Sequence, residues 1–294
     1  GVNFIKHVSR LNAEVTVLDN LFTGQEKYLE NLANVEFVKG CITNIKVVDN
    51  LVMGTDFIVH LAARNIIAST KNPLLDLESN VVGTMNLLLS AKKYKVKKFI
   101  YSSSASVYGD QRVLPIIEES KLKTYSPYAV SKLAAENYCS VFWRLYQVPT
   151  ISLRLSNVYG PFQNPDSPYS GVIHKFIKLV QADKPVKIHG DGLQTRDFTF
   201  VDDVSRAIKK ACLSNGNEGK IFNVGTGVES NIQHIVKTLE IIFKKDIKID
   251  YTENRDIDNV RRRLMNIESI RMELNWIPRT LFKDGLLKTV EWYT

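Results

Sequence analysis

The sequence predicts an α/β protein, a doubly wound parallel sheet with a smaller C-terminal substrate lobe, and three observations predict it. Short apolar, β-branched runs alternate with amphipathic stretches along the chain. A helix-spaced apolar segment near the start leads into a strand that ends on an acidic residue. The 294 residues, 44% of them hydrophobic, are enough for one large domain or for a domain with an appended lobe.

Phe4, Ile5, Val8 and Leu11 are spaced as on one helical face, and Glu14-Val15-Thr16-Val17-Leu18 then reads as a strand ending at Asp19. Helix, strand and acidic tip form the second half of a dinucleotide-binding βαβ unit. A carboxylate at that tip accepts hydrogen bonds from the adenosine ribose and repels a 2′-phosphate, so Asp19 predicts NAD rather than NADP. Gly1 falls where the third glycine of Gly-x-Gly-x-x-Gly belongs, so the first strand and two earlier glycines are expected upstream. Further strands are predicted at 35–38, 56–62, 98–103, 149–155, 186–189 and 220–224, and helices at 78–94, 127–146, 171–182, 201–213 and 230–244. Residues 1–160 are expected to form the NAD-binding domain and 161–294 mainly the substrate lobe, with some segments returning to the sheet.

Tyr128 and Lys132 stand i, i+4 on one predicted helical face, which places an ammonium where it would favour ionisation of the phenol. A phenol of reference pKa about 10 becomes a usable general base in that setting. The strand ending Phe99-Ile100-Tyr101 delivers Ser102, Ser103 and Ser104 to a carboxyl edge, where open α/β sheets place their ligands. Pro127 opens the following helix.

The formal charge of +8 comes from scattered basic residues with no nucleic-acid motif among them, and a basic cleft for a diphosphate accounts for part of it. No apolar run is long enough to span a membrane. Cys41, Cys139 and Cys212 are few and widely spaced, which excludes a cysteine zinc site and predicts reduced thiols in a cytoplasmic protein.

The chain resembles the extended short-chain dehydrogenase/reductases, within them the NAD-dependent sugar-nucleotide epimerase/dehydratase family, and most closely its UDP-glucose 4-epimerase branch. The resemblance runs almost end to end. It rests on Val17-Leu18-Asp19-Asn20 with Thr23-Gly24, His60-Leu61-Ala62-Ala63, Asn80-Val81-Val82-Gly83-Thr84, Ser102 to Gly109 and Tyr128-Ala129-Val130-Ser131-Lys132. It continues through Arg154-Leu155-Ser156-Asn157-Val158-Tyr159-Gly160-Pro161, Tyr169-Ser170-Gly171, Gly190 to Phe198 and Asn223-Val224-Gly225-Thr226-Gly227.

The resemblance implies that Tyr128 removes the proton of the sugar 4-hydroxyl while NAD takes the C4 hydride. Ser104 would hydrogen-bond that hydroxyl, and Lys132 would hold the nicotinamide ribose. Asp19 and Asn20 would hold the adenosine end, with Gly1 in the phosphate loop. Ala62 and Ala63 would line the dinucleotide path, and Asn80 and Ser102 would lie near the cofactor. Asn157 and Arg196 would bind the nucleotide diphosphate of a UDP-sugar, Arg196 through a charge-assisted contact. The family also pairs its helices around residues 78–94 and 127–146 across a two-fold axis as a four-helix bundle, which implies a homodimer. Leu87, Leu88, Val141 and Phe142 are apolar positions in excess of one core-facing stripe.

Several positions depart from the pattern. Cys41 stands where the family has an aspartate at the adenine, and Leu155-Ser156 replace an aromatic pair before Asn157. In Asp256-Ile257-Asp258-Asn259-Val260 the usual Arg-x-Gly-Asp-Val is altered, leaving Arg255 as a displaced arginine. Arg263 falls at the position gating the sugar, as in UDP-glucuronate decarboxylases, whose glutamate is replaced here by Ser106. The dehydratase Asp-Glu pair corresponds to Ala105-Ser106, which has no carboxyl group for eliminating water. A neutral hexose, an N-acetylhexosamine or a uronate all stay open as the sugar. The reading from a different class is a nucleotide-binding protein of this fold without turnover.

Overall fold

A computed structural model describes residues 1–294 except 12, 33, 165, 166, 168, 169 and 255–258. The chain begins with α1 (Val2–Ser9), β1 (Val15–Asp19), a 3-10 turn (Glu26–Leu29), β2 (Val35–Lys39), α2 (Ile45–Val52) and β3 (Phe57–His60). Next come α3 (Ile66–Lys71), α4 (Pro73–Asp76), a π-helical turn (Leu77–Val82), α5 (Gly83–Tyr94), β4 (Lys98–Ser104), a second 3-10 turn (Ala105–Tyr108), α6 (Pro127–Tyr146) and β5 (Thr150–Leu155). The remainder is β6 (Asn157–Tyr159), α7 (Val172–Gln181), β7 (Val186–His189), β8 (Thr195–Phe200), α8 (Val201–Leu213) and β9 (Ile221–Val224), followed by β10 (Glu229–Asn231), α9 (Ile232–Phe243), β11 (Ile249–Thr252), α10 (Glu268–Leu274) and α11 (Phe282–Tyr293).

β3, β4, β5 and β9 are hydrogen-bonded in that order as a parallel sheet, and β1 and β2 form a separate parallel pair. β4 shows why its run is apolar on both faces. All seven of its residues are buried, and successive side chains alternate between two layers. Phe99 and Tyr101 pack on Leu88, Ala135 and Cys139 from α5 and α6. Ile100 faces the opposite layer of Val204, Ile208 and Phe222 with Trp276.

After β5 the chain builds two small sheets, β10-β8-β6 and β11-β7. Their core takes Ile173, Phe176 and Ile177 from α7, Phe198 and Phe200 from β8, Ile235 and Leu239 from α9, and Leu286 from α11. β9 joins the four-stranded sheet, and α8 and α10 return to the layer over it.

Three details differ from the sequence reading. Leu11 lies beyond the end of α1 and is exposed, because the helix stops at Ser9. The stretch expected as one helix over 78–94 is a π turn followed by α5, and the buried side chain of Asn80 within the turn bonds outside its own helix. Leu87, Leu88 and Phe142 belong to the domain's own core. The outward apolar residues of these helices include Val82, Leu89, Val130, Tyr138, Val141 and Leu145. Among the described residues no helix is long and apolar enough to cross a membrane, and no cluster of three His, Cys, Asp or Glu could hold a metal ion.

Candidate active site

The carboxyl ends of β1, β3 and β4 gather most of the residues named from sequence. Asp19 ends β1, and its Oδ1 accepts the Leu21 N–H at 2.7 Å. A Cβ on Gly24 would stand 3.1 Å from Asp19 Oδ2, so a larger residue there would press on the carboxylate. Asn20 Oδ1 accepts the Phe22 N–H at 3.0 Å, and its Nδ2 lies 3.9 Å from the Cys41 thiol, which places the departure at 41 beside the Asp19-Asn20 pair. Gly1 precedes α1 as its N-cap and accepts the Ile5 N–H at 3.0 Å.

Ala62 and Ala63 follow β3 and are exposed rather than packed between strands. Asn80 is buried. Its side-chain oxygen accepts the Arg64 N–H at 2.8 Å, and its Nδ2 donates to the Arg64 carbonyl at 3.2 Å, Asp76 Oδ1 at 2.6 Å and Ser131 Oγ at 3.0 Å. Ser131 in turn donates to the Tyr128 carbonyl at 3.0 Å. One buried amide thus ties the loop after β3 to the first turn of α6.

Ser102 donates to the His60 carbonyl at 2.9 Å, bridging β4 to β3. Ser104 ends β4, and its Oγ accepts the Ser106 N–H at 3.1 Å, so the hydroxyl proton stays available to donate. Ser126 caps α6 by accepting the Ala129 N–H at 3.2 Å, and Pro127 occupies the first turn. Tyr128 is half-buried in that turn.

Lys132, one turn on, is 2% exposed, with its ammonium 4.5 Å above the Tyr101 ring. Burial lowers its pKa to about 8, and Cys139, Glu136 and Asp76 work the other way. His60 is buried against Thr84 at 2.8 Å, and burial followed by the Lys132 charge holds its pKa near 3. His174 bonds the Gly160 carbonyl at 2.9 Å.

Behind Lys132 lies a network that the sequence reading missed. Arg154 on β5 makes a bidentate pair with Glu136 of α6 at 3.0 and 2.7 Å, and also donates to the Tyr108 hydroxyl at 2.7 Å. Tyr108 donates to Asn223 Oδ1 at 2.7 Å. Burial opposes the charge on Arg154, yet Glu136 and Tyr108 raise its pKa overall. The pair is buried and fully engaged, which fixes α6 against the turn after Ser104. No local pattern in the sequence marks it, because its members are brought together only by the sheet.

Asn157 and Arg196 lie on neighbouring strands, with Asn157 opposite Phe198. Arg196 is nine-tenths buried, and its Nη1 donates to the Thr195 and Val260 carbonyls, both at 2.8 Å. It therefore braces the segment carrying Arg263. Asp202 pairs with His7 at 3.6 Å. Arg263 is buried and lines a small cleft with Ile66, Ser106, Gly109, Tyr125, Ser126 and Val260. Arg255, the displaced arginine, lies outside the described residues.

These groups fit a dinucleotide across the carboxyl edge. With a dinucleotide bound, the Asp19 carboxylate would suit a ribose diol, the exposed Ala62 and Ala63 would leave room beside the loop after β3, and the Lys132 cation would lie toward the other end.

Comparison with known proteins identifies the family. Residues 1–225 match the model of the NAD dependent epimerase/dehydratase family. A UDP-glucose 4-epimerase from Mycolicibacterium smegmatis is 35% identical over 295 residues, covering 97% of this chain and 93% of that protein. A human dTDP-D-glucose 4,6-dehydratase is 35% identical over 276 residues, 90% of this chain and 77% of its own. The crystal structure of UDP-glucuronic acid 4-epimerase from Bacillus cereus, in complex with UDP-glucuronic acid and NAD, superposes with a TM-score of 0.92 at 28% identity, covering 99% of this chain and 95% of that one. With residues 1–225 matched by the family model and a relative 35% identical across 97% of this chain, the chain belongs to the NAD dependent epimerase/dehydratase family.

Proposed function

We propose that the protein epimerises C4 of a UDP-sugar through a 4-keto intermediate. The observation that carries this reading is the composition of the cleft lined by Ser106 and Ser126, which lie two positions along the chain from Ser104 and Tyr128. Its lining holds Ser106 and Arg263 but no carboxylate among the described residues, so it offers no acid/base pair for eliminating water. Epimerisation needs neither carboxylate.

NAD, when bound, supplies the acceptor and later the donor of the C4 hydride. Tyr128 takes the O4 proton, helped by the nearby Lys132 ammonium, and Ser104 holds the same oxygen through its hydroxyl proton. Once the keto sugar has turned its other face, Tyr128 returns the proton, so neither protons nor electrons are consumed overall. Asn157 and Arg196 are proposed to hold the nucleotide diphosphate, in keeping with their place on adjacent strands.

A second reading is favoured by one feature, the burial of Arg263 beside Ser106 in the cleft. A guanidinium there suits the carboxylate of a uronate, either for 4-epimerisation or for decarboxylation. Wild type and Arg263→Ser should be assayed by product analysis on UDP-glucose, UDP-N-acetylglucosamine and UDP-glucuronate. The variant is expected to shift preference toward the neutral sugars. Unchanged ratios remove the uronate reading, and a 4,6-dehydrated product from wild type removes epimerisation.

We also propose a homodimer assembled as a four-helix bundle. Val130, Tyr138, Val141 and Leu145 follow one stripe of α6 and are exposed, beside Val82 and Leu89 at α5. Light scattering is expected to give a dimer at micromolar concentration and a monomer for a double variant, Val141→Glu with Leu145→Glu. A monomeric wild type would contradict the assembly.

A further inference from the structure

Arg64 joins two loops that no assigned residue connects. It follows Ala62 and Ala63 after β3, and its backbone is held on both sides by Asn80, at 2.8 Å to its N–H and 3.2 Å to its carbonyl. Its Nε donates to Ser79 Oγ at 3.4 Å. Its guanidinium lies 4.5 Å from the centroid of the Phe22 ring, in the loop that leaves β1. Phe22 is itself positioned by the Asn20 side chain.

One stacked pair therefore crosses from the Asp19-Asn20 loop to the Ala62-Ala63 loop, between strands β1 and β3 that share no hydrogen bonds among the described residues. No carboxylate among the described residues lies within ion-pair distance of Arg64. The cation is fixed by a backbone clamp and an aromatic face, which limits the freedom lost when an anion docks on it.

We propose that Arg64, held in place by Phe22, binds the diphosphate of NAD, and that the pair acts as a strap across the dinucleotide. Asp19 marks the ribose end of the crevice and Lys132 the other end, so the diphosphate belongs between them, where the two loops meet. The Nη groups present parallel donors suited to two phosphate oxygens. Phe22 adds a cover over the guanidinium that keeps water from competing for it. The proposal rests on NAD dependence and is independent of which sugar is turned over.

The test is NAD binding by calorimetry to the full-length protein at low and at physiological ionic strength, with thermal melting as the folding control. Arg64→Gln is expected to bind NAD about 10- to 100-fold more weakly at low salt and to show a shallower salt dependence. Arg64→Lys should recover part of the affinity, and Phe22→Leu should lose about 2- to 5-fold. Wild-type affinity and salt dependence in a folded Arg64→Gln would overturn the assignment and leave the family reading standing. A folded wild type that does not bind NAD would overturn both.

Discussion

Tyr128→Phe is expected to keep the fold and NAD binding while turnover falls by about 10²- to 10⁴-fold, the usual contribution of a positioned acid/base group. The substitution removes one oxygen from a half-buried ring and leaves the backbone and cap of α6 in place. Ser126 caps the helix through Ala129, and Ser131 bonds the Tyr128 carbonyl, which the variant retains. Tyr101 is the competing phenol, since its ring lies under the Lys132 ammonium. Burial pushes its pKa well above the ordinary tyrosine value, and its hydroxyl already donates to the Lys132 carbonyl at 3.3 Å. A phenol so buried is a poor base, and Tyr101→Phe should alter stability more than rate. Product analysis of both variants separates the two residues. If Tyr128→Phe keeps more than about a third of the activity, far short of such a loss, Tyr128 is not the base.

The parts of the fold that sequence makes legible are those set by a single element's own pattern. α8 was expected over 201–213 and spans Val201–Leu213, because its apolar residues recur at the helical period and acidic residues occupy its first turn. Asp19 could be placed at a strand tip because a β-branched run ends there. Pairings that depend on several elements leave no such trace. β6 and β10 have three residues each, too few for alternation to register. The apolar stripes of α5 and α6 could be counted, but not which side faces the sheet, so Leu87, Leu88 and Phe142 were read as surplus when they are core. Arg64 and Phe22 are separated by two strands, and only the fold brings them together. The chemistry shows the same division. Epimerase and dehydratase structures share this fold at equal identity, so the reaction follows from Ser106 and Arg263 at the cleft rather than from the architecture.

Lys132→Met is expected to make the NAD-free protein more stable at neutral pH by about 3 kcal/mol and to reduce turnover by at least about 10²-fold. The sign follows from burial. The lysine pKa drops from 10.5 to about 8 in the folded chain, mainly because the ammonium loses its water. Between these values the unfolded chain holds a proton that the folded chain has released, so stability rises with pH across that window. Below about 8 both states carry the proton, and the folded state bears the full cost of a buried ammonium. Methionine fills similar space without a charge, so the variant's advantage should be full at pH below about 8 and vanish above about 10.5. Denaturant unfolding of both proteins across this pH range measures it. A variant less stable than wild type at neutral pH would mean that the contact with the Tyr101 ring outweighs desolvation. A gain in stability with a loss of rate would instead show a charge kept at the site at the expense of the fold, as expected where an ammonium is needed beside an ionising phenol.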